Sequence, residues 1–334
     1  HLPFRVWCAE CVAGRRDNPP HHASKETPTV PEIGMDYAFV RRADEDETLT
    51  LLVMKDRGSR AVRAWVVPHK GADLETAVER AADGVRELGH RGQIVVKVDN
   101  EPALKALREA VMAKLPGGAI PVQSPPGESQ SNGGMENGVK LVKGILRVHL
   151  LSLERKVAVR FPSAHPVIAW LVEHISDVGC KYLVGADGRT PYERLFGKSV
   201  REEALEFGEV VHYRPRTRQD ANVLLEARWC SGVWLGRRWG SVTHRIYADG
   251  QVVDARAVQR VPLAERWVAD RLSVIRATPW CLRPGPAENA GNVLVLPPLP
   301  VGEAVAPVVV PPEVEYRPRR VFIRIEDLER WGYT

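Results

Sequence analysis

The sequence predicts an α/β protein: a mixed five-stranded sheet with flanking helices, followed by a small β-barrel. Three observations predict it. Short apolar runs of strand length recur between residues 31 and 124, and the later ones are separated by segments with helical periodicity. The first three runs follow one another through short polar turns, as in an antiparallel meander. From residue 205 to about 263 the text returns to short β-type runs with turn signals between them.

Taken in order, residues 1–30 hold two cysteines, several histidines and a polar "GRRDNPPHHASKETPT" tail, and read as a small module or linker. "EIGMDYAFV" alternates as a strand, and "TLTLLVMKD" and "RAVRAWVVP" follow it across a "DRGS" turn. "ADLETAVERAADGVRELGH" is helical, with Asp73 as its cap and Leu74, Val78, Ala81, Val85 and Leu88 facing inward. "GQIVVKVDN" is a continuous apolar strand of the buried kind. "EPALKALREAVMAKL" is a helix with Pro102 in its first turn, and "AIPVQS" a last short strand. "FPSAHPVIAWLVEHISDVG" carries another helix, and "DGRTPYERLFGK" a loop with a short one. "GEVVHYRP", "CSGVWLGRRW", "THRIYADGQVVDA" and "AVQRVP" supply the barrel strands, with "ADGQ" as a hairpin turn. The expected organisation is an N-terminal remnant at 1–30, a sheet-and-helix core at 31–180, a connecting segment at 181–204, the barrel at 205–265, a Pro-rich linker at 266–320 and the start of a following unit at 321–334.

The 334 residues are 44% hydrophobic and 27% charged, ordinary globular composition. No apolar run reaches the length of a membrane span, so an integral membrane protein is not expected. The net charge of +5 suits an anionic partner. Basic residues cluster at 140–160, at Arg214, Arg216 and Arg218, and at Arg237, Arg238 and Arg245. Five cysteines at 8, 11, 180, 230 and 281 have no disulfide-framework spacing, which points to a reducing, intracellular compartment. The chain opens on His1 rather than Met, as expected of a fragment or a processed piece.

Acids mark the chemistry. Asp36 lies in the middle of the first strand, Asp99 at the end of the central one, and Glu136 at the start of the helix in "GESQSNGGMENGVKLVKGILR". An unpaired buried charge costs on the order of several kcal/mol, so acids within apolar strands need partners. In a mixed sheet the first and central strands can be neighbours, which would bring the two aspartates to one edge. Glu136 would close the triangle. Three converging carboxylates are tolerated around a hard divalent cation, Mg²⁺ or Mn²⁺. Two such ions about 3.5–4 Å apart clamp an in-line phosphoryl transfer. Glu136, Lys140 and Lys143 fall at i, i+4 and i+7, one stripe of one helix face; an amphipathic surface helix with an i,i+4 ion pair gives the same stripe.

"MDYAFV", "VKVDNEPAL" and "SQSNGGMENGVKLVKGILR" resemble the three blocks of the D,D-35-E core of retroviral and retrotransposon integrases. Thirty-six residues separate Asp99 from Glu136, within one of that pattern. "GRTPYERLFGK" and "CSGVWLG…THRIYADGQVVDARAV" resemble the region after the core in Copia-type retrotransposon integrases, so the resemblance reaches about residue 265; "RRVFIRIEDLERWGYT" weakly resembles the stretch between integrase and reverse transcriptase in retroelement polyproteins. The resemblance implies an RNase H-like fold, an SH3-like barrel, and metal-dependent DNA strand transfer. It implies Asp36, Asp99 and Glu136 as catalytic metal ligands, and Lys140, Lys143, Arg147 and Asn100 as DNA contacts. It implies a homo-oligomer acting in the nucleus on element ends and target DNA. Cys8-x2-Cys11 resembles the end of a His-His-Cys-Cys zinc module, with His1 as its second histidine and His21 and His22 as local alternatives. Two other readings stay open: a catalytically inactive nucleic-acid-binding relic, and a nuclease of the same fold that cleaves without joining. Trp234 and Trp239 are expected in the core, and His90, His149, His165 and His174 on surfaces or helix faces.

Overall fold

The computed structural model describes residues 30–68, 70–71, 75–123, 133–202, 205–215, 227–285 and 294–295. Its first sheet is built from β1 (Glu32–Val40), β2 (Leu49–Asp56), β3 (Val62–Val67), β4 (Ile94–Val98) and β5 (Ala119–Gln123), in the order β3-β2-β1-β4-β5. β1, β2 and β3 pair antiparallel, while β4 pairs parallel with β1 and β5 parallel with β4. Strand order and directions are those of the RNase H-like fold. The antiparallel half needs only tight turns. The "DRGS" turn is closed by Asp56, whose Oδ2 accepts from the backbone N–H of Ser59 at 2.8 Å. The parallel half needs crossover helices, supplied by α1 (Glu75–Glu87) and α2 (Pro102–Ala113).

Alternation along β1 sorts its side chains to two faces. Ile33, Met35 and Tyr37 join Leu52, Met54, Trp65 and the apolar stripes of α1 and α2 in one core. Val78, Ala81, Val85 and Leu88 are buried as expected, while Asp73 and Leu74 lie outside the described residues. Gly34, Asp36 and Ala38 face the other way, toward α3 (Gly133–Val157) and α4 (Pro166–Tyr182). There Leu51, Val53, Val62 and Ala64 form a second core with Val142, Leu146, Phe161 and Trp170. α4 is apolar around most of its circumference. Val167 through Val172 are all buried, because the helix has a sheet on either side of it.

That other sheet is antiparallel: β7 (Val210–Tyr213), β8 (Cys230–Arg237), β9 (His244–Ala248), β10 (Gln251–Ala255) and β11 (Val258–Arg260), ordered β10-β9-β8-β7-β11. It follows the short α5 (Pro191–Phe196), which opens on a capping box between Thr190 and Glu193. The expected "ADGQ" hairpin is a two-residue turn with positive φ at both Asp249 (50°) and Gly250 (79°), the primed geometry that matches strand twist. One side of the sheet encloses Leu205, Val211, Trp234, Ile246 and Ala255. The other side sends Val233, Leu235 and Tyr247 into the core around α4.

Residues from 266 onward, expected as linker, stay packed on the fold past Ala277: Pro279 is buried, and the Val252 backbone N–H donates to the Leu282 carbonyl at 2.8 Å. Leu272, on the short α6 (Ala269–Ser273), and Ile275 and Ala277 are buried, and the Trp170 indole donates to the Ala277 carbonyl at 2.7 Å. The correction has a simple cause: "DRLSVIRA" has few but well-spaced apolar residues, and α4 offers them a surface. Leu294–Val295 pairs with β6 (Val159–Arg160). No helix among the described residues is long and apolar enough to cross a membrane.

Candidate active site

β1 and β4 run parallel with Met35 opposite Val98. The next residue on each chain is an aspartate, so Asp36 and Asp99 stand side by side where β4 ends. Asp36 is half-buried, and its Oδ1 accepts from the backbone N–H of Tyr37 at 2.7 Å. Its pKa is raised above the usual carboxylate value. Burial is the largest cause, opposed by the Tyr37 hydrogen bond; Asp99 and Glu101 then add repulsion, and Lys70 offsets part of it. The sequence-derived expectation that the first and central strands would bring two acids to one edge is met.

Glu136 is placed differently. It is exposed in the first turn of α3, where a carboxylate faces the positive end of the helix dipole. The helix start is fixed to the sheet from beneath: a Cβ on Gly34 would lie 2.6 Å from Met135 Sδ, so only glycine lets Met135 close over β1 there. Lys55 Nζ donates to the Gly134 carbonyl at 2.7 Å. Glu136 therefore follows a residue seated on β1 two positions from Asp36, on the same face of the sheet. Yet among the described residues no three His, Cys, Asp or Glu side chains are close enough together to hold a metal ion. Strand register sets Asp36 beside Asp99, and Glu136 is carried, exposed, on the first turn of α3. Like charges without a counter-ion gain nothing from closer approach. The Gly-rich loop at 124–132 that precedes Glu136 lies outside the described residues, as do His1, Cys8, Cys11, His21 and His22.

An oxygen-only donor set of two adjacent carboxylates, one with a raised pKa, fits a hard divalent cation. Asn100, exposed, directly follows Asp99. Lys140, Lys143 and Arg147 continue the Glu136 stripe along α3; Lys140 and Arg147 are exposed and Lys143 is half-buried. Lys143 and Arg147 line a cleft of about 520 Å³ between α3 and the far end of β1.

Sequence reading missed two charged neighbours of Asp36. Glu101 caps α2 in an extended conformation before Pro102, and it pairs with Lys70. The Lys70 ammonium lies 4.7 Å from the centre of the Phe39 ring. The acid was visible in the "DNE" run; Lys70 stands in a loop with no pattern to mark it. Two arginines of the second sheet, Arg237 and Arg245, are engaged in ion pairs. Arg245 pairs with Glu173 at 2.6 Å and Arg237 with Glu202 at 3.4 Å, both tying the second sheet to the α4 region. Arg238 remains exposed, and Arg216 and Arg218 lie outside the described residues. Trp234 is buried as expected. Trp239 is a packing residue as well: its indole donates to the Glu87 carbonyl at 2.9 Å.

No protein-family model matches the chain, and no curated protein matches it in sequence. Similar solved structures include a chain of the simian T-cell lymphotropic virus intasome in complex with PP2A regulatory subunit B56 gamma. It is 14% identical over 76% of this chain and 87% of that one, with a TM-score of 0.43. The catalytic core domain of BIV integrase is 20% identical over 50% of this chain and 93% of its own, with a TM-score of 0.35. The HTLV-2 integrase catalytic core domain in complex with magnesium, in its trimeric form, is 14% identical over 51% and 99%, with a TM-score of 0.37. At such low identities the class of fold rests on the strand order and directions described above.

Proposed function

We propose that the chain is an integrase of a Copia-type retroelement, a polynucleotidyl transferase that joins element DNA to target DNA in the nucleus. The observation that carries this reading is the pair of carboxylates, Asp36 and Asp99, held side by side by parallel strand register on an RNase H-like sheet. Asp36, Asp99 and Glu136 would hold Mg²⁺ or Mn²⁺, which supplies activation of the attacking oxygen and stabilisation of the leaving one. Lys140 and Lys143 bind phosphates flanking the scissile bond, Arg147 contacts DNA farther along α3, and Asn100 orients Asp99 or contacts the strand. A 3′-hydroxyl attacks the target phosphodiester in line: it loses its proton as its oxygen bonds to phosphorus, and the target strand's 3′-oxygen leaves and is protonated, so no covalent enzyme intermediate is needed. Joining two ends to one target calls for a homo-oligomer. Zinc on Cys8 and Cys11 with His1 belongs to the same reading.

A second reading is favoured by one observation, that no three His, Cys, Asp or Glu side chains are grouped to hold a metal ion among the described residues: a nucleic-acid-binding relic without catalysis. One assay separates the two. The protein is incubated with labelled duplex DNA and Mn²⁺, Mg²⁺ or EDTA, beside Asp99→Asn and Glu136→Gln. Longer, joined products that need metal and vanish in both variants are expected. Shortened products alone identify a nuclease. Salt-sensitive DNA binding without products identifies the relic.

A further inference from the structure

We propose that the cleft beside the far end of β1 is a subsite for an unpaired nucleotide of the DNA strand that runs past the carboxylates. The proposal rests on the DNA reading above and adds a place where a strand is held out of the duplex. The cleft, about 520 Å³, is of ligand-site size. Its charges sort into two groups. Arg42 pairs with Glu154 and Arg160 with Asp44, so these four neutralise one another. Arg41, Lys143 and Arg147 make no ion pair among the described residues, which leaves three cations in the lining without an acidic partner. Between them the wall is apolar, formed by Leu146, Leu150 and Leu151, the last 60% exposed.

Cations alone suit the outside of a duplex, whose bases are stacked on one another and offer no face to an apolar wall. A concave apolar wall with cations on its rim suits a nucleotide that presents its phosphate and its base face together. An acidic peptide with an apolar anchor presents the same two features, and position decides between them. Lys143 and Arg147 extend the stripe that begins at Glu136. The eleven residues from Glu136 to Arg147 rise about 16 Å along the helix, the length of about five stacked nucleotides. A strand laid along α3 from the carboxylates reaches the cleft within that distance. Arg41 approaches from β1, five residues after Asp36, so both walls of the cleft continue elements that carry the acids.

The test uses the full chain and fluorescence polarisation at fixed ionic strength. The probes are a blunt duplex, the same duplex with an overhang of about five nucleotides at either end, and an acidic peptide with one apolar anchor. The overhang duplex is expected to bind about tenfold more tightly than the blunt one. Leu151→Asp and Arg41→Ala are expected to bring that ratio to about one. A photoreactive thymidine in the overhang is expected to crosslink to the segment 147–151. Equal binding of blunt and overhang duplexes overturns the subsite and leaves the DNA reading standing. Failure to bind any DNA overturns both. Competition by the peptide that disappears in Leu151→Asp assigns the cleft to a protein partner and overturns the proposal.

Discussion

Asp36 is a residue whose surroundings oppose its charge. Burial, Asp99 and Glu101 all raise its pKa, and only the Tyr37 N–H and Lys70 counter them. An acid with a raised folded pKa costs stability once it ionises, so Asp36→Asn is expected to raise the thermal midpoint in EDTA. The same variant should lose the further rise that Mg²⁺ gives the parent protein. Differential scanning fluorimetry with and without Mg²⁺ reads both effects; a lower midpoint in EDTA would assign Asp36 a structural hydrogen-bonding role instead. His174, expected on a surface or helix face, is buried, and so is His244; burial holds both rings neutral. Burial, with His149 and Lys181 nearby, pushes His174 down to about 3. Burial, with Arg237 and Lys181 against Glu202, pushes His244 to about 4. Both touch Trp234, and His244 Nδ1 accepts from its indole N–H at 3.0 Å, a bond that the protonated ring cannot make. The folded pKa values lie below the unfolded value near 6.5, so the unfolded chain takes up more protons as pH falls. Their stabilisation is complete above pH about 6.5 and is lost progressively toward pH 3–4. The urea midpoint should fall across that window, and fall less steeply in His174→Phe with His244→Gln.

At the scale of elements, the decisive fit is that of α3 on β1. Gly34 leaves a gap on β1 that the Met135 side chain fills. Gly34→Ala is expected to cost about 1–3 kcal/mol, as a methyl group forced into a packed contact does. It should also weaken divalent-ion binding measured by calorimetry, since Glu136 is carried on the same turn. If affinity for Mn²⁺ stays at the parent value while stability falls, the start of α3 has no part in the cation site. The β9–β10 hairpin and the Thr190 capping box need no such partner, because their geometry is set by their own residues.

Across the whole molecule, charge does what a linker was expected to leave undone. Arg63 on β3 reaches Asp177 of α4 at 3.2 Å and Glu87 of α1 at 3.1 Å, and it lies 4.2 Å from the centre of the Trp239 ring of the second sheet. Asp177 passes the contact to Lys181, and Lys181 to Glu202, which also pairs with Arg237 on β8. The chain of ions runs from one sheet to the other along α4. Arg63→Ala would leave Glu87 and Asp177 short of a partner in a buried setting, at a cost of about 3–5 kcal/mol. Chemical denaturation should show that loss together with a shift in tryptophan emission as Trp239 is released. A change within experimental error would mean that the apolar contacts around Trp170 hold the sheets together without help.

The sequence by itself determined the local elements and the acids. Alternation marked β1, helical periodicity marked α1 and α2, turn chemistry marked the Asp249–Gly250 hairpin, and charge within an apolar strand marked Asp36. Each of these signals is written in residues close together in the chain, where sterics and side-chain period act directly. Tertiary structure decided what distant residues do to one another. It placed Asp36 beside Asp99 through parallel register, and packed Met135, the residue before Glu136, against a glycine one hundred and one residues earlier. It drew Glu101 and Lys70 into the site, turned Arg237 and Arg245 inward, and buried His174 on α4 together with Leu272, Ile275 and Ala277. Those outcomes depend on which surfaces meet when the two sheets close on one helix, and burial and charge pairing are properties of that meeting rather than of any stretch of sequence.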